Sequence, residues 1–306
     1  MTKRFITVGD ATEQDLSDIY HLARTPFDDE TLKGQGVALV FERPSLRTRA
    51  SSSAAVHELG GYATFFGADE VGLDERESAE DIGRTLAEMF AICALRVRDH
   101  GVFERIWRAT GGRLALINLL SDVAHPTQAV ADALTIADEF SRGDLTQLAG
   151  LEVAYVGDAT NVARSLAVCL LRAGVNVRVG APAGYQLTPS EVENPFAVTG
   201  GGTLRLFSNA AEAVRGANVI YTDSWVSMGF ESEVVKRREE LAEFRVDEEL
   251  VTRADANAIV MHCLPAHRGD EVTNSVLDGP RSRVWRQVHH RHSAMMGVLR
   301  WMKEET

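Results

Sequence analysis

The chain has 306 residues, 45% of them hydrophobic and 25% charged, which excludes a disordered or collagen-like protein. Lys and Arg number 32 against 44 Asp and Glu, so the net charge of −12 argues against a nucleic-acid-binding protein, which needs a basic footprint. The three cysteines are too few and too far apart for a disulfide framework or a zinc motif.

Short, nearly continuous apolar runs recur along the chain, as they do in buried parallel strands. In chain order, the predicted strands are residues 37–41, 62–66, 92–97, 114–119, 153–156, 175–179, 218–222 and 258–262. Apolar residues spaced by three and four predict helices at residues 48–59, 79–90, 127–140, 162–173, 210–214 and 285–302. This alternation predicts an α/β protein built on doubly wound parallel sheets.

At about 150 residues per domain, the length favours two domains. Gly143, Asp144 and Gly150 interrupt the pattern around residues 141–151, where we expect the connection between the domains. The first residues do not resemble a signal peptide, and no apolar run approaches the 18 or more residues of a membrane span. With reduced thiols as the simplest interpretation of the cysteines, we expect a cytoplasmic protein with no membrane partner.

The segment 41–49 reads Phe-Glu-Arg-Pro-Ser-Leu-Arg-Thr-Arg and joins a predicted strand to a predicted helix. Ser45 can cap that helix, whose first N–H groups and dipole favour an oxyanion. Arg47 adds a planar fork that matches phosphate geometry. Together with Thr48, these residues predict a phosphate cradle, although a capped helix with solvated arginines explains the pattern about equally well.

A second segment, His125-Pro-Thr-Gln128, also lies between a predicted strand and a predicted helix. Residues three apart in a helical turn share a face, so His125 and Gln128 can address one ligand. A histidine that donates to a carbonyl polarises it, and a glutamine can hold an amide. A helix cap or a packed histidine is the alternative interpretation.

Two further segments follow strands in the second half of the chain. Residues 157–161 contain a glycine turn, but the full dinucleotide-binding fingerprint is missing and no acid ends the next strand, which argues against NAD. Residues 223–229 begin with Asp223 and continue through Ser227. Ligands of open α/β sheets bind beyond the carboxyl ends of strands, where a carboxylate can hold an ammonium group. An ordinary loop remains the alternative.

The last segment, residues 262–269, contains Cys263 directly after a predicted strand. A nucleophilic thiol needs a lowered pKa, which the sequence does not indicate. The sequence leaves open whether the Leu264–Pro265 bond is cis, and the general frequency of such bonds favours trans.

These segments occur in order, and together they resemble the aspartate/ornithine carbamoyltransferase family. The motifs at 45–49 and 125–128 are shared across that family, whereas Asp-x-Trp-x-Ser-Met-Gly at 223–229 and His-Cys-Leu-Pro at 262–265 are typical of its ornithine branch. The resemblance implies a carbamoyl-phosphate-binding domain at 1–141, an ornithine-binding domain at 142–285, and a C-terminal helix at 286–306 that packs back on the first domain.

The resemblance also implies residue roles. Carbamoyl phosphate is expected to contact Ser45, Leu46 through its backbone, Arg47, Thr48, Arg96, His125, Gln128, Cys263, Leu264 and Arg291. Ornithine is expected to contact Asn161, Asp223, Ser227 and Met228. Seven of these substrate-contacting residues are also expected to be catalytic: Arg47, Arg96, His125, Gln128, Asp223, Cys263 and Arg291.

The implied reaction carbamoylates the δ-amino group of ornithine to give citrulline and phosphate in arginine biosynthesis, without a metal or cofactor, in a homotrimer or a multiple of trimers. Two segments depart from the family pattern. Residues 72–76 lack the usual glutamine and gain two acids, and residues 293–296 lack the usual histidine and glutamine. A different amine or amino acid as acceptor, or a weakly active relative kept for binding or assembly, are therefore the alternatives.

Overall fold

The structure is a computed structural model that describes residues 2–26, 30–188, 190–191, 201–226 and 231–304. The strands are β1 (Arg4–Phe5), β2 (Gly36–Phe41), β3 (Tyr62–Gly67), β4 (Ile92–Arg96), β5 (Ala115–Leu120), β6 (Glu152–Val156), β7 (Asn176–Gly180), β8 (Leu204–Phe207), β9 (Val219–Thr222) and β10 (Ile259–His262). Every predicted strand is present, with ends that shift by at most one residue. Two further strands, β1 and β8, carry no clear apolar run and are not predicted from the sequence.

The helices are α1 (Glu13–Leu22), α2 (Leu46–Glu58), α3 (Ala68–Val71), α4 (Ala79–Ala87), α5 (Gly101–Ala109), α6 (Pro126–Phe140), α7 (Asn161–Arg172), α8 (Ala210–Val214), α9 (Val234–Leu241), α10 (Glu248–Thr252), α11 (Asn274–Leu277) and α12 (Val284–Lys303). All predicted helices are present. Among those not predicted, α5 is amphipathic and buries Val102, Phe103 and Ile106 against the first sheet.

The chain divides into two compact units, residues 1–131 with 290–306, and residues 132–289. The limits of the units fall inside α6 and α12, so each of these helices contributes residues to both. In the first unit, Lys3 donates to the Trp301 carbonyl oxygen, and the Trp301 ring nitrogen donates to Asp15. The C-terminal helix therefore packs on the N-terminal unit, which confirms that expectation.

The sheet of the first unit has the order β1-β5-β4-β2-β3, and every pairing is parallel. The chain runs outward from β2 to β3 and then crosses to β4 on the other side of β2. This reversal leaves a crevice at the carboxyl ends of β2 and β4, where ligands of such sheets bind. Both segments that follow these strands, residues 42–49 and 97–100, start at this edge.

The sheet of the second unit has the order β10-β9-β6-β7-β8 and is also parallel throughout. The chain runs outward from β6 to β7 and β8 and then crosses to β9 on the other side of β6, with β10 beside β9. The strand order therefore reverses between β6 and β9. Asp223 and Cys263 directly follow the paired strands β9 and β10, which explains why residues so distant in sequence are neighbours. The predicted doubly wound α/β architecture is therefore confirmed for both units. Among the described residues, no helix combines the length and apolar character needed to cross a membrane.

Candidate active site

The first turn of α2 has the form of an anion site. Ser45 caps the helix: its Oγ accepts from the Thr48 backbone N–H at 3.4 Å and donates to Thr48 Oγ1 at 3.0 Å. Such a cap contributes about 1 kcal/mol to helix stability. Leu46, which occupies the first helical position, is 80% exposed, so that turn of the helix is accessible from solvent. The N–H groups and dipole there favour an oxyanion.

Arg291 joins three of the predicted site residues within the first unit. Its guanidinium group, which extends from α12, donates to Thr48 Oγ1 at 2.9 Å and to Gln128 Oε1, and lies 3.3 Å from His125 Nε2. Arg291, Thr48, His125 and Gln128 are all buried. The segments at 45–49 and 125–128 are therefore parts of one cluster, to which α12 contributes a positive charge.

The contact with Arg291 determines the tautomer of His125. A guanidinium group has no acceptor, so His125 Nε2 must accept and the ring proton is on Nδ1. Burial lowers the pKa of His125 well below its usual value, and the positive charges of Arg291, Arg96 and Arg47 lower it further. The lowered pKa favours a neutral imidazole at physiological pH.

We expect His125 to make the protein less stable as the pH falls below about 6.5, the ordinary pKa of histidine. The unfolded chain then binds a proton that the folded chain does not, so the free energy of unfolding decreases by up to about 1.4 kcal/mol per pH unit. Urea unfolding at pH 7.5, 6.5 and 5.5 measures this for wild type and His125→Gln. The dependence should be less steep in the variant, and equal slopes would contradict the assignment.

The altered loop at residues 72–76 is held by a charge network. Both carboxylate oxygens of Asp74 accept from Arg105, at 2.7 and 2.8 Å, and Oδ1 also accepts from the Ala79 N–H at the start of α4. The hydrogen bonds from Arg105 lower the pKa of Asp74. One of the two acids that depart from the family pattern is thus neutralised within its own unit. Its role in the fold is to fix the start of α4.

The other departure, residues 293–296, has a packing explanation at its last two positions. Met295 and Met296 are buried in the first unit, at 1% and 0% exposure. A histidine or a glutamine at such a position would require hydrogen-bond partners in the interior. These positions of α12 therefore contribute to the core, while Arg291 on the same helix reaches the anion site.

In the second unit, Asp223 and Cys263 form a hydrogen-bonded pair at the carboxyl ends of β9 and β10. The Cys263 thiol donates to Asp223 Oδ1 at 2.9 Å, and the Ser224 N–H donates to the same oxygen at 2.7 Å. Because the thiol donates its proton to a carboxylate, the structure gives no support for a nucleophilic thiolate. Burial raises the pKa of Asp223, so its charge is poorly solvated and favours a cationic or amine ligand.

Buried contacts hold the two neighbouring loops that carry the predicted amino-acid-binding residues. Arg237 of α9 forms an ion pair with Asp158 and donates to the Trp225 carbonyl oxygen at 3.1 Å. Burial outweighs the attraction of Arg237 and raises the pKa of Asp158 to about 6. The segment before Asn161 and the segment after Asp223 thus share one buried cation. Ser227 and Met228 lie outside the described residues.

Asp223, His262 and Cys263 also have the composition of a metal site, with possible ligand atoms within 4.8 Å of one another. However, both ring nitrogens of His262 are engaged. The Leu264 N–H donates to Nδ1 at 2.8 Å, and Nε2 lies 3.2 Å from Glu271 Oε1. A metal ion would have to break one of these bonds, and we propose none here.

The turn after β10 has an unusual backbone. Leu264 has a φ of 59°, in the left-handed region, and the Leu264–Pro265 bond is cis. A residue other than glycine in that region costs about 1–3 kcal/mol and persists only where its surroundings fix it. The hydrogen bond from the Leu264 N–H to His262 is one such contact.

Some residues of these clusters carry no motif in the sequence. Asp132 of α6 is buried and accepts from Tyr221 Oη and Gln287 Nε2, both at 2.9 Å. Gln287 in turn accepts from the His262 N–H at 2.8 Å. No motif in the sequence marks Asp132, which stands between two alanines of α6.

The fold and the site geometry define a class of enzyme, and comparisons with known proteins agree. Residues 3–138 match the family model for the carbamoyl-phosphate-binding domain of aspartate/ornithine carbamoyltransferase, and residues 149–302 match that for its Asp/Orn-binding domain. The protein is a carbamoyl-group transferase. The chain belongs to the aspartate/ornithine carbamoyltransferase family.

Individual relatives match this chain over most of their length. An ornithine carbamoyltransferase of Hyperthermus butylicus is 43% identical over 273 residues, which cover 88% of this chain and 84% of the relative. One of Acidothermus cellulolyticus is 40% identical over 99% of this chain and 97% of its own length. The solved ornithine carbamoyltransferase of Pyrococcus furiosus superposes with a TM-score of 0.89 at 36% identity, covering 97% of this chain and 96% of that structure.

Proposed function

We propose that this enzyme transfers the carbamoyl group of carbamoyl phosphate to the δ-amino group of L-ornithine, giving L-citrulline and phosphate in arginine biosynthesis. The buried cluster of Arg291 with Thr48, His125 and Gln128 carries this proposal. It joins a helix N-terminus suited to phosphate with an imidazole and an amide suited to a carbamoyl group. Residues 1–141 would bind carbamoyl phosphate, and residues 142–285 would bind ornithine.

On the carbamoyl phosphate side, we assign the phosphate to Ser45, Leu46 through its backbone, Arg47 and Thr48. The carbonyl oxygen is assigned to Thr48, Arg96 and His125, and the carbamoyl amide to Gln128. The structure supports a neutral His125 and a high local positive charge. Arg291 would exchange one of its protein acceptors for carbamoyl phosphate when the substrate binds.

On the ornithine side, Asp223 is the residue that addresses an amine, and Asn161, Ser227 and Met228 are assigned to the rest of the amino acid. Cys263 and Leu264 would lie against the δ-amino and carbamoyl groups. The names of the relatives support ornithine as the acceptor, as does a poorly solvated carboxylate at the strand end.

The chemistry requires only positioning and charge stabilisation. The uncharged δ-amine attacks the carbonyl carbon, a C–N bond forms, and negative charge develops on the carbonyl oxygen, where Arg96, His125 and Thr48 would stabilise it. The attacking nitrogen gives up one proton, which the departing phosphate accepts. The carbonyl then re-forms as the bond between that carbon and the phosphate oxygen breaks, and phosphate departs into the cradle beside Arg47. Alignment of two substrates can itself supply a large part of such an acceleration.

We further propose that the enzyme is a cytoplasmic homotrimer, or a multiple of trimers, that acts on its two small substrates without a cofactor. Sedimentation equilibrium of the purified chain measures the assembly. A monomer that shows full activity would contradict the proposed trimer without affecting the proposed reaction.

The acceptor is tested by incubating the purified chain with carbamoyl phosphate and, separately, ornithine, N-acetylornithine, putrescine or lysine. We expect the release of phosphate, matched by formation of the carbamoylated product, to be at least about 100-fold faster with ornithine, because a misfit at a charged buried contact costs several kcal/mol. Faster turnover with another amine would assign a different acceptor. Negligible turnover with all of them would favour a relative kept for binding or assembly, for which the altered loop at 72–76 is the specific support.

A further inference from the structure

The turn that carries Cys263 is supported by a buried glutamate that no motif marks. Glu271 and His262 are fully or almost fully buried, at 0% and 1% exposure. Glu271 Oε1 lies 3.2 Å from His262 Nε2 and accepts from the His267 N–H. One carboxylate oxygen therefore contacts both ends of the segment 262–267, which contains Cys263 and Leu264.

The donors around His262 determine its tautomer. The Leu264 backbone N–H can only donate, so His262 Nδ1, at 2.8 Å, must accept and carries no proton. The proton of the ring is then on Nε2, where Glu271 Oε1 is the acceptor. In a neutral histidine, the hydrogen bond at one ring nitrogen determines whether the other nitrogen carries the proton. Glu271 thereby selects the tautomer that can hold the Leu264 N–H.

This chain of contacts extends from Glu271 to Cys263 and Asp223, which are assigned to the substrates. His262 and Leu264 flank Cys263, whose thiol donates to Asp223. On the other side, Gln287 accepts from the His262 backbone N–H, so both the ring and the backbone of His262 are fixed. Since Leu264 has a left-handed backbone, the turn depends on such contacts to keep its shape.

We propose that Glu271 is a positioning residue for carbamoyl transfer, acting through the Nε2–H tautomer of His262 to orient the Cys263–Leu264 turn. The proposal rests on the proposed function for its effect on turnover, but the tautomer itself does not. A purely structural role would lower the stability of the protein without changing the turnover of the folded enzyme.

The other oxygen of Glu271 provides a matched pair of variants. Oε2 has no hydrogen-bond partner among the residues that the structure describes, and His267 Nδ1 is 3.9 Å away. Glu271→Gln can therefore keep the Oε1 acceptor and lose only the charge, whereas Glu271→Met keeps the length of the side chain and loses the acceptor. The first variant serves as the conservative control for the second.

The tautomer is measured by NMR on the full-length enzyme labelled with ¹⁵N-histidine, where the signal missing from His262→Asn identifies His262. In wild type and Glu271→Gln, we expect the proton on Nε2, and in Glu271→Met a loss of that state. A proton on Nδ1 in the wild type would overturn the proposal, whether or not any variant folds and whether or not the enzyme makes citrulline.

Turnover is measured on the same proteins. In Glu271→Met, kcat should fall by about tenfold or more, because small misplacements of reacting groups have effects of that size. In Glu271→Gln it should stay within about threefold of wild type. The inhibition constant of inorganic phosphate, which reports the cradle at Ser45–Thr48, should be unchanged in both. A folded Glu271→Met variant with wild-type kcat would overturn the proposal. If wild type itself forms no citrulline, the proposed function fails instead.

Discussion

Arg47→Ala is expected to lower kcat/KM for carbamoyl phosphate by roughly 10²–10³-fold, the usual cost of removing one preorganised donor to developing charge. Arg47 lies in the first turn of α2, whose N-terminus already favours an anion. Its charge acts on His125, where it contributes to the lowered pKa of the ring. Under the proposed function, loss of Arg47 removes both a contact to the leaving phosphate and part of the local positive field. Steady-state kinetics with varied carbamoyl phosphate measure the effect.

Arg84→Ala is the matched control for this experiment. Arg84 is an exposed arginine of the same unit and pairs with Asp81 on the surface of α4, an interaction worth at most about 1 kcal/mol. It removes the same charge without touching the cluster around Arg291. If both variants retained near wild-type kinetics, the assignment of residues 45–48 as the phosphate cradle would be wrong.

Asp223→Asn is expected to raise the KM for ornithine by about 100-fold or more, since truncating one side of a buried charged contact costs roughly 2–5 kcal/mol. Asparagine keeps the shape and can still accept from the Ser224 N–H, so the change isolates the charge. The inhibition constant of inorganic phosphate should not change, because the cradle belongs to the other unit. Initial rates with varied ornithine at saturating carbamoyl phosphate measure the effect.

The same substitution should leave the protein as stable as wild type or more stable. Burial raises the pKa of Asp223 above its ordinary value of 3.8. At pH values above 3.8, the charged carboxylate is therefore less favourable in the folded protein than in the unfolded chain, and it lowers the free energy of unfolding. Loss of the charge at pH 7 removes that cost. Glu249→Gln, which removes an exposed charge from α10 of the same unit, is the control. A weaker phosphate affinity in Asp223→Asn would contradict the assignment of the two substrates to separate units.

The periodicity of the sequence was sufficient for most of the architecture. Both faces of the central strands are covered by other parts of the protein. Nearly all of their residues are therefore apolar, as in Val37–Phe41 of β2. The two strands that were not predicted lie at sheet edges. β1 has only two residues, and β8 alternates Leu204 and Leu206 with Arg205 and has only partly buried apolar residues. Edge strands have one neighbour, and their sequence signal is correspondingly weak.

The motifs likewise named residues that the structure brings together, as in the contacts of Arg291 with Thr48 and Gln128. Ser45 was predicted to cap a helix and does so, and the resemblance pointed to Arg291 before any contact was known. The peptide bond between Leu264 and Pro265 was left open by the sequence, and the structure has it cis.

The sequence by itself determined the elements, their order and the residue types at the strand ends, because these follow from local periodicity and short spacings. Only the tertiary structure determined which of them meet. Arg291 contacts Thr48 across 243 positions and Gln128 across 163. Glu271 Oε1 lies 3.2 Å from His262 Nε2 in a buried contact that no motif marks. Parallel sheets bring the carboxyl ends of distant strands to one edge, the packing of α12 brings Arg291 to that edge in the first unit, and burial requires each polar group there to find a partner.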